Sequence, residues 1–253
     1  MKQFRLVSYT QWLFLIIIIL FLYAPLLPPT MKSFDGVGGA WVSYQALFSD
    51  EQLLKSLKNS GIASAAAALI APFIALVAAQ LLRKFRTPGV ILGIILIPLF
   101  VPGVSMGVST ALFFKLLSIS PSIASIIAVQ TLWALPFAFL VIVTVMASFD
   151  QVYLEAAYMS GRGPVQAFLE VELPQIHHGI TGSIIFSFII SFNETIRTSI
   201  VQGGNNTVQT YIWSHYQQIG LSPKLFALMT ILIVVTLLLI FILAFIDFKR
   251  AKK

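Results

Sequence analysis

The 253-residue chain has no cysteine and little charge: Asp and Glu together number 9, and charged residues make up 10% of the whole. Without thiols it forms no disulfide framework and no thiolate-held metal site, and redox chemistry says nothing about its compartment. Histidine is confined to His177, His178 and His215. No Gly-Lys dipeptide occurs, which excludes a G-x-x-x-x-G-K-[ST] phosphate loop. The net charge is +7, but the cations are dispersed rather than gathered into a stripe with interleaved aromatics. The excess reads as topology and contact with anionic membrane lipid, not as nucleic-acid binding.

Apolar residues are abundant, at 58% of the chain. A helix needs about 20 apolar residues to cross a hydrocarbon core of about 30 Å. Six runs approach this, at 12–27, 61–82, 89–114, 123–146, 179–201 and 225–246. None alternates as a membrane β-strand does, so the expected fold is an all-α membrane protein with six transmembrane helices. The start, "MKQFR" and an apolar run, resembles a signal peptide but lacks a small-x-small cleavage site, which predicts a retained first helix. The expected divisions are a first helix with its amino terminus at 1–29, an outer segment at 30–60, a core at 61–246 and a basic tail at 247–253. The largest cytoplasmic loop, 147–178, falls inside the core.

Orientation follows from the cations. With the amino terminus inside, the cytoplasmic segments hold Lys2, Arg5, Arg83, Lys84, Arg86, Arg162, Lys249, Arg250, Lys252 and Lys253, ten of the 16 Lys and Arg residues. The outer side holds Lys32, Lys55, Lys58, Lys115, Arg197 and Lys224. Both termini are therefore expected in the cytoplasm.

In the outer segment, Trp41, Tyr44, Leu47 and Phe48 recur at helical spacing, and Ser49 with Gln52 suggests a capping box for a second helix. That segment reads as an interfacial helix or as a docking surface for an external partner. The alanine-rich second run predicts close helix packing, with Pro72 expected to kink it. In the third run Pro98 and Pro102, followed by Gly103 and Gly107, predict a broken helix, tolerable only where protein or a water-filled cavity covers the exposed backbone. The fourth run carries Gln130, Trp133 and Pro136, and the amide of Gln130 is expected inside the bundle, facing either a path or another helix.

Gly103-Val-Ser105-Met-Gly107 matches the G-x-S-x-G pattern of serine hydrolases. That chemistry needs a preceding strand and a histidine within reach, and the three histidines fall at or beyond span ends, so small residues in a broken helix explain the pattern better. Adjacent on a helix, His177 and His178 point about 100° apart and do not make the paired metal ligand of an i, i+4 arrangement. Asn205-Asn206-Thr207 is a formal glycosylation sequon on the outer side. Asn193, Glu194, Arg197 and Thr198 cluster in the fifth run. An ionisable residue within a span is a functional candidate, but Glu194 and Arg197, three apart, can also neutralise one another.

The loop at 147–178 reads as two short helices at the inner edge of the membrane. The first has Asp150 as cap and Gly161 as stop. The second starts at Gly163-Pro164, places Val165, Phe168, Leu169 and Leu173 on one face, and stops before Pro174. Small Ala156 and Ala157 suit entry into a groove on another protein.

Glu155-Ala156-Ala157, three residues, Gly161, nine residues and Val171-Glu172-Leu173-Pro174 resemble the EAA-x3-G-x9-I-x-L-P signature of inner-membrane permease subunits of bacterial ABC importers. Six of the seven fixed positions are identical, with Val171 in place of isoleucine. The resemblance implies a type I importer fold in which Glu155, Ala156, Ala157, Gly161, Arg162, Leu173 and Pro174 form a coupling element for a separate ATPase subunit. It further implies that ATP and magnesium bind that subunit, that this chain carries no cofactor and is no enzyme, and that its partners are a second, similar permease, with a heterodimer preferred to a homodimer, and an extracytoplasmic substrate-binding protein. The carboxy-terminal part, with Gly220-Leu221-Ser222-Pro223 and Ala227-Leu228, is similar to the second permease of spermidine/putrescine importers. This implies a polyamine substrate and a path involving Glu194, Asn193, Arg197, Gln130 and Trp133; related permeases carry opines, amino acids or other small solutes. A secondary transporter and an intramembrane serine hydrolase are the remote alternatives.

Overall fold

A computed structural model describes residues 2–36, 39, 41–85 and 87–251. Arg86, Lys252 and Lys253, counted above among the cytoplasmic cations, lie outside them. All secondary structure among the described residues is helical. Four helices there are long and apolar enough to cross a membrane, and a bent pair makes up to five. The expected sixth span, 225–246, falls within the last helix, Pro223–Ala251, whose stretch Pro223–Leu238 is apolar. The chain forms two compact units, one from its start to Leu53 together with Ser214 onward, the other from Leu54 to Trp213.

In the first unit, α1 (Lys2–Tyr23) presents apolar side chains such as Trp12, Phe14 and Leu20 on its surface, the pattern of a helix whose solvent is lipid. A 3-10 turn, Ala24–Leu26, leads into α2 (Leu27–Lys32). The expected interfacial helix is α3 (Val42–Phe48), with Leu47 buried and Trp41 and Tyr44 in a ring cluster with Phe34 at centroid separations of 5.5–5.8 Å. The cap of the next helix is Asp50 rather than Ser49. That helix, α4 (Glu51–Lys84), starts one residue later than a Ser49 and Gln52 box requires, so Asp50 accepts the Leu53 N–H at 2.9 Å. Asp50 also pairs with Lys224 at the start of α13 (Pro223–Ala251), which packs on α2 and α3.

In the second unit, α4 continues through Pro72 as one helix. Its alanines at 63, 67, 71, 75 and 79, four apart, are all buried. Such a row lets backbones approach closely where lipid provides no hydrophobic drive between helices. Ala71, Ala75 and Ala79 meet Ala134, Ala138, Phe139, Ile142 and Met146 of α7 (Ile123–Ala147) in the main core, with Ile176 from a further helix. At 25 residues α7 is about 37 Å long, enough to span with tilt.

The third run is not one helix. α5 (Pro88–Phe100) and α6 (Gly103–Leu116) meet at 104°. Pro98 lies inside α5; the break is at Pro102, whose ring holds Val101 extended at ψ 123° and whose carbonyl starts α6 by accepting the Met106 N–H at 2.9 Å. The fifth run differs more. After α8 (Val152–Met159) and α9 (Pro164–Ala167), a π-helical turn at Phe168–Glu172 runs directly into α10 (Leu173–Phe192). The expected stop before Pro174 is absent because the Leu173 N–H reaches back five residues to Phe168, a wider turn that accommodates a proline lacking its own donor. The expected apolar face also changes: Val165 and Leu169 are exposed, while Ala167, Glu172 and Ile176 are buried. At its other end the span stops at Phe192, and after Asn193–Thr195 a separate α11 (Ile196–Val201) begins. α12 (Val208–Ile219) follows.

α10 packs along α7 through small residues at every fourth position, Gly179, Ser183, Ser187 and Ser191, all buried. A Cβ on Gly179 would lie 2.5 Å from Val145 Cγ2. Gly179→Val is expected to lower stability by about 1–3 kcal/mol through overpacking, and Val145→Ala in the same chain to recover most of it. Thermal unfolding of the detergent-solubilised protein measures both; an unshifted Gly179→Val midpoint would contradict this packing.

Candidate functional site

Two places bring the candidate residues together. The first is the loop segment. Asp150 accepts the Val152 N–H at 3.0 Å, so it caps α8 as its position in sequence suggests. The helix ends in a Schellman arrangement: Gly161, at φ +82°, donates to Tyr158, and Arg162 donates to Ala157. Glu155 and Ala156 are exposed, with Tyr153, Tyr158 and Met159 beside them, whereas Ala157 is buried within this chain. Arg162 bonds Glu170 at 2.5 Å and Ser160 at 2.9 Å, both across the turn between α8 and the π segment. Leu173 is half-buried and Pro174 exposed, with the Pro174 carbonyl 2.6 Å from His177 Nδ1. His177 and His178, expected to diverge, bring their rings within 3.7 Å.

Sequence reasoning missed one member of this segment. Glu172, 2% exposed, pairs with Arg83 of α4 and accepts from Gln80 Nε2 at 3.0 Å. The available signal was a carboxylate flanked by apolar residues within Val171-Glu172-Leu173, a position that a solvated charge does not choose.

The second place is where the two broken spans meet. α11 starts with the Glu194 carboxylate accepting the backbone N–H of Arg197 at 2.8 Å, so the residue read as an in-span charge also caps a helix. Its other oxygen takes Arg197 Nη1 at 2.8 Å. The guanidinium lies 3.6 Å from the Trp133 ring centroid, and its Nε reaches Met106 Sδ at 3.2 Å. Glu194 is 6% exposed and Arg197 8%. One turn along, Gln130 donates to Thr198 at 3.1 Å and accepts from Ser191 at 2.5 Å, joining α7, α11 and α10. Asn193 stands apart, exposed, bonded to the Ile189 carbonyl and to Gln209.

The same geometry accounts for the G-x-S-x-G pattern. A Cβ on Gly103 would lie 3.3 Å from the Arg197 guanidinium carbon, and one on Gly107 would lie 2.6 Å from Ile200 Cδ1. Both glycines make room for α11, which packs along α6, while Ser105 is exposed on another face. Helix α5, not a strand, precedes it, so the nucleophile-elbow geometry is missing.

With this arrangement in place, comparison with known proteins identifies the family. The model of the binding-protein-dependent transport system inner membrane component matches residues 71–252. The chain belongs to this family. It is a permease component of an ABC importer, a multi-pass inner-membrane protein and not an enzyme. It is 26% identical over 236 residues to the spermidine/putrescine transport system permease protein PotC of Haemophilus influenzae, with 90% of this chain and 92% of that protein covered. The putrescine transport system permease protein PotI of Escherichia coli is 27% identical over 230 residues, with 84% and 82% covered. In fold, this permease resembles a chain of a bacterial ABC transporter involved in the import of alginate (TM-score 0.74, 13% identity, 98% of each chain). It also resembles one of the MetNI methionine ABC transporter (TM-score 0.61, 19% identity, 81% of this chain and 99% of that one). The fold is that of a type I importer permease.

Removing one partner of a buried ion pair leaves the other uncompensated. Arg197→Met is therefore expected to cost about 3–5 kcal/mol of stability, and adding Glu194→Gln to restore part of it. The measurement is a double-mutant cycle on thermal unfolding of the purified permease; simple additivity would show that the pair does not hold α11.

Proposed function

We propose that this permease forms half of the translocation path of a polyamine importer. The observation that carries the reading is the similarity, over 84–90% of this chain, to PotC and PotI, whose names specify spermidine and putrescine. A second, similar permease would close the path, with a heterodimer preferred to a homodimer. An extracytoplasmic binding protein would deliver substrate, and separate ATPase subunits, holding ATP and magnesium, would bind around Glu155, Ala156 and Gly161 on the cytoplasmic side, where both termini also lie. The exposed Glu155 and Ala156, with the apolar Tyr153, Tyr158 and Met159 around them, support that docking role.

On the path itself, a carboxylate, an indole face and a thioether are the groups that bind an ammonium ion. Here they hold the guanidinium of Arg197. A polyamine reaches Glu194 and Trp133 only where α11 shifts and draws Arg197 away, Gln130 remaining as a polar contact nearby; Asn193 lies outside this box. The neutralised carboxylate favours a second reading, a zwitterionic or neutral small solute such as an amino acid or opine.

The importer reconstituted with its binding protein and ATPase subunits is expected to accumulate labelled spermidine or putrescine only with ATP, and unlabelled polyamine to compete. Competition by amino acids but not polyamines would transfer the assignment to the second reading. Gly161→Asp, which puts a side chain on a left-handed residue and a charge beside the docking helix, is expected to abolish uptake and weaken co-purification of the ATPase subunits while the permease stays in the membrane. Undiminished uptake would remove α8 from the coupling role.

A further inference from the structure

We propose that the buried ion pair between Glu172 and Arg83 is the joint through which movement of the α8 segment reaches α4, with Glu172 and Arg83 as positioning residues for transport. The proposal rests on the reading of α8 as the ATPase contact.

Three observations converge on this pair. First, α8 packs on the π-helical turn Phe168–Glu172, and Arg162 ties the intervening turn to Glu170 of the same stretch. A force on α8 therefore reaches the π turn directly, beside its short connection to α7 and the packing of Leu154 on the main core. Second, the π turn aims Glu172 inward. Residues five apart on an α-helix point about 140° apart, yet Ala167 and Glu172 are both buried, at 0% and 2% exposure. The wide turn puts them on one face, and π turns recur where local geometry serves function. Third, the partners of Glu172 stand on a single face of α4: Gln80 and Arg83, three apart, next to Ala79 of the main core.

Burial alone does not require charge here. An apolar residue of similar size would fill position 172 without the desolvation that a buried carboxylate and guanidinium must offset. What the ion pair adds is a directional attachment to one helix. The backbone already joins the π turn to α10; the pair adds α4, the helix whose alanine row packs on α7. Among the described residues Arg83 Nε is buried without an acceptor, leaving a donor that can re-pair when the π turn and α4 slide past each other. α4 and α10 are thereby driven from one point, α10 covalently and α4 through the pair.

The test uses the assembled importer, with both permeases, ATPase subunits and binding protein, purified together and reconstituted. Glu172→Gln keeps shape and the bond from Gln80 but removes the charge. The expected result is wild-type recovery of ATPase subunits and wild-type basal hydrolysis, with binding-protein-stimulated hydrolysis and uptake lowered about tenfold. Arg83→Gln should reproduce this, and the double variant should add little, because either change opens the same joint. Unchanged stimulated hydrolysis in Glu172→Gln would overturn the proposal. So would fully additive losses, or loss of the ATPase subunits from the complex, which would make the pair an assembly element. Failure of the wild-type assembly to show ATP-dependent uptake would instead count against the importer reading on which the joint rests.

Discussion

A helix interrupted inside a membrane exposes backbone donors and acceptors that lipid cannot satisfy, and this permease has two such interruptions, at Pro102 and at Asn193–Thr195. The Glu194–Arg197 pair satisfies a backbone donor at the second and lies against the start of α6 beside the first. Glu194 accepts the backbone N–H that α11 presents at its start, and its remaining charge is matched by Arg197, whose side chain crosses to Met106 on α6 and Trp133 on α7. The broken spans are thus seated against one another by a charge pair that would be untenable with either partner alone.

Around that pair, close approach is achieved with small residues. Gly103 and Gly107 admit α11 to α6, Gly179 and the serines below it admit α10 to α7, and the alanine row of α4 closes on α7. Gln130 ties the seam together by hydrogen bonds to Ser191 and Thr198. At the opposite end of α10, the same economy recurs with different means. A π turn absorbs Pro174, carries the chain from the α8 and α9 segment into α10 without a break, and places Glu172 against α4.

The loop segment at 150–164 was the most legible part of the chain. Asp150, Gly161 and Pro164 act through local backbone rules, a cap, a left-handed glycine and a proline at the first helical position, and such rules operate over a few residues of sequence. The fate of Glu194 and Arg197 was half legible. Their spacing announced a possible pair, but the helix break between α10 and α11 was hidden because the apolar run continues through it. The burial of Glu172 was missed for a related reason: an α-helical period assigned Val165, Phe168, Leu169 and Leu173 to the inner face, and the π turn shifts that period by one residue.

By itself, then, the sequence determined the class of molecule: apolar runs of spanning length admit only helices in lipid, and a loop signature sets the family. Tertiary structure alone decided which polar groups meet. Arg197 finds Trp133 and Met106, and Glu172 finds Arg83, across long stretches of chain, because buried charge must locate a partner and helix packing settles which partners are within reach.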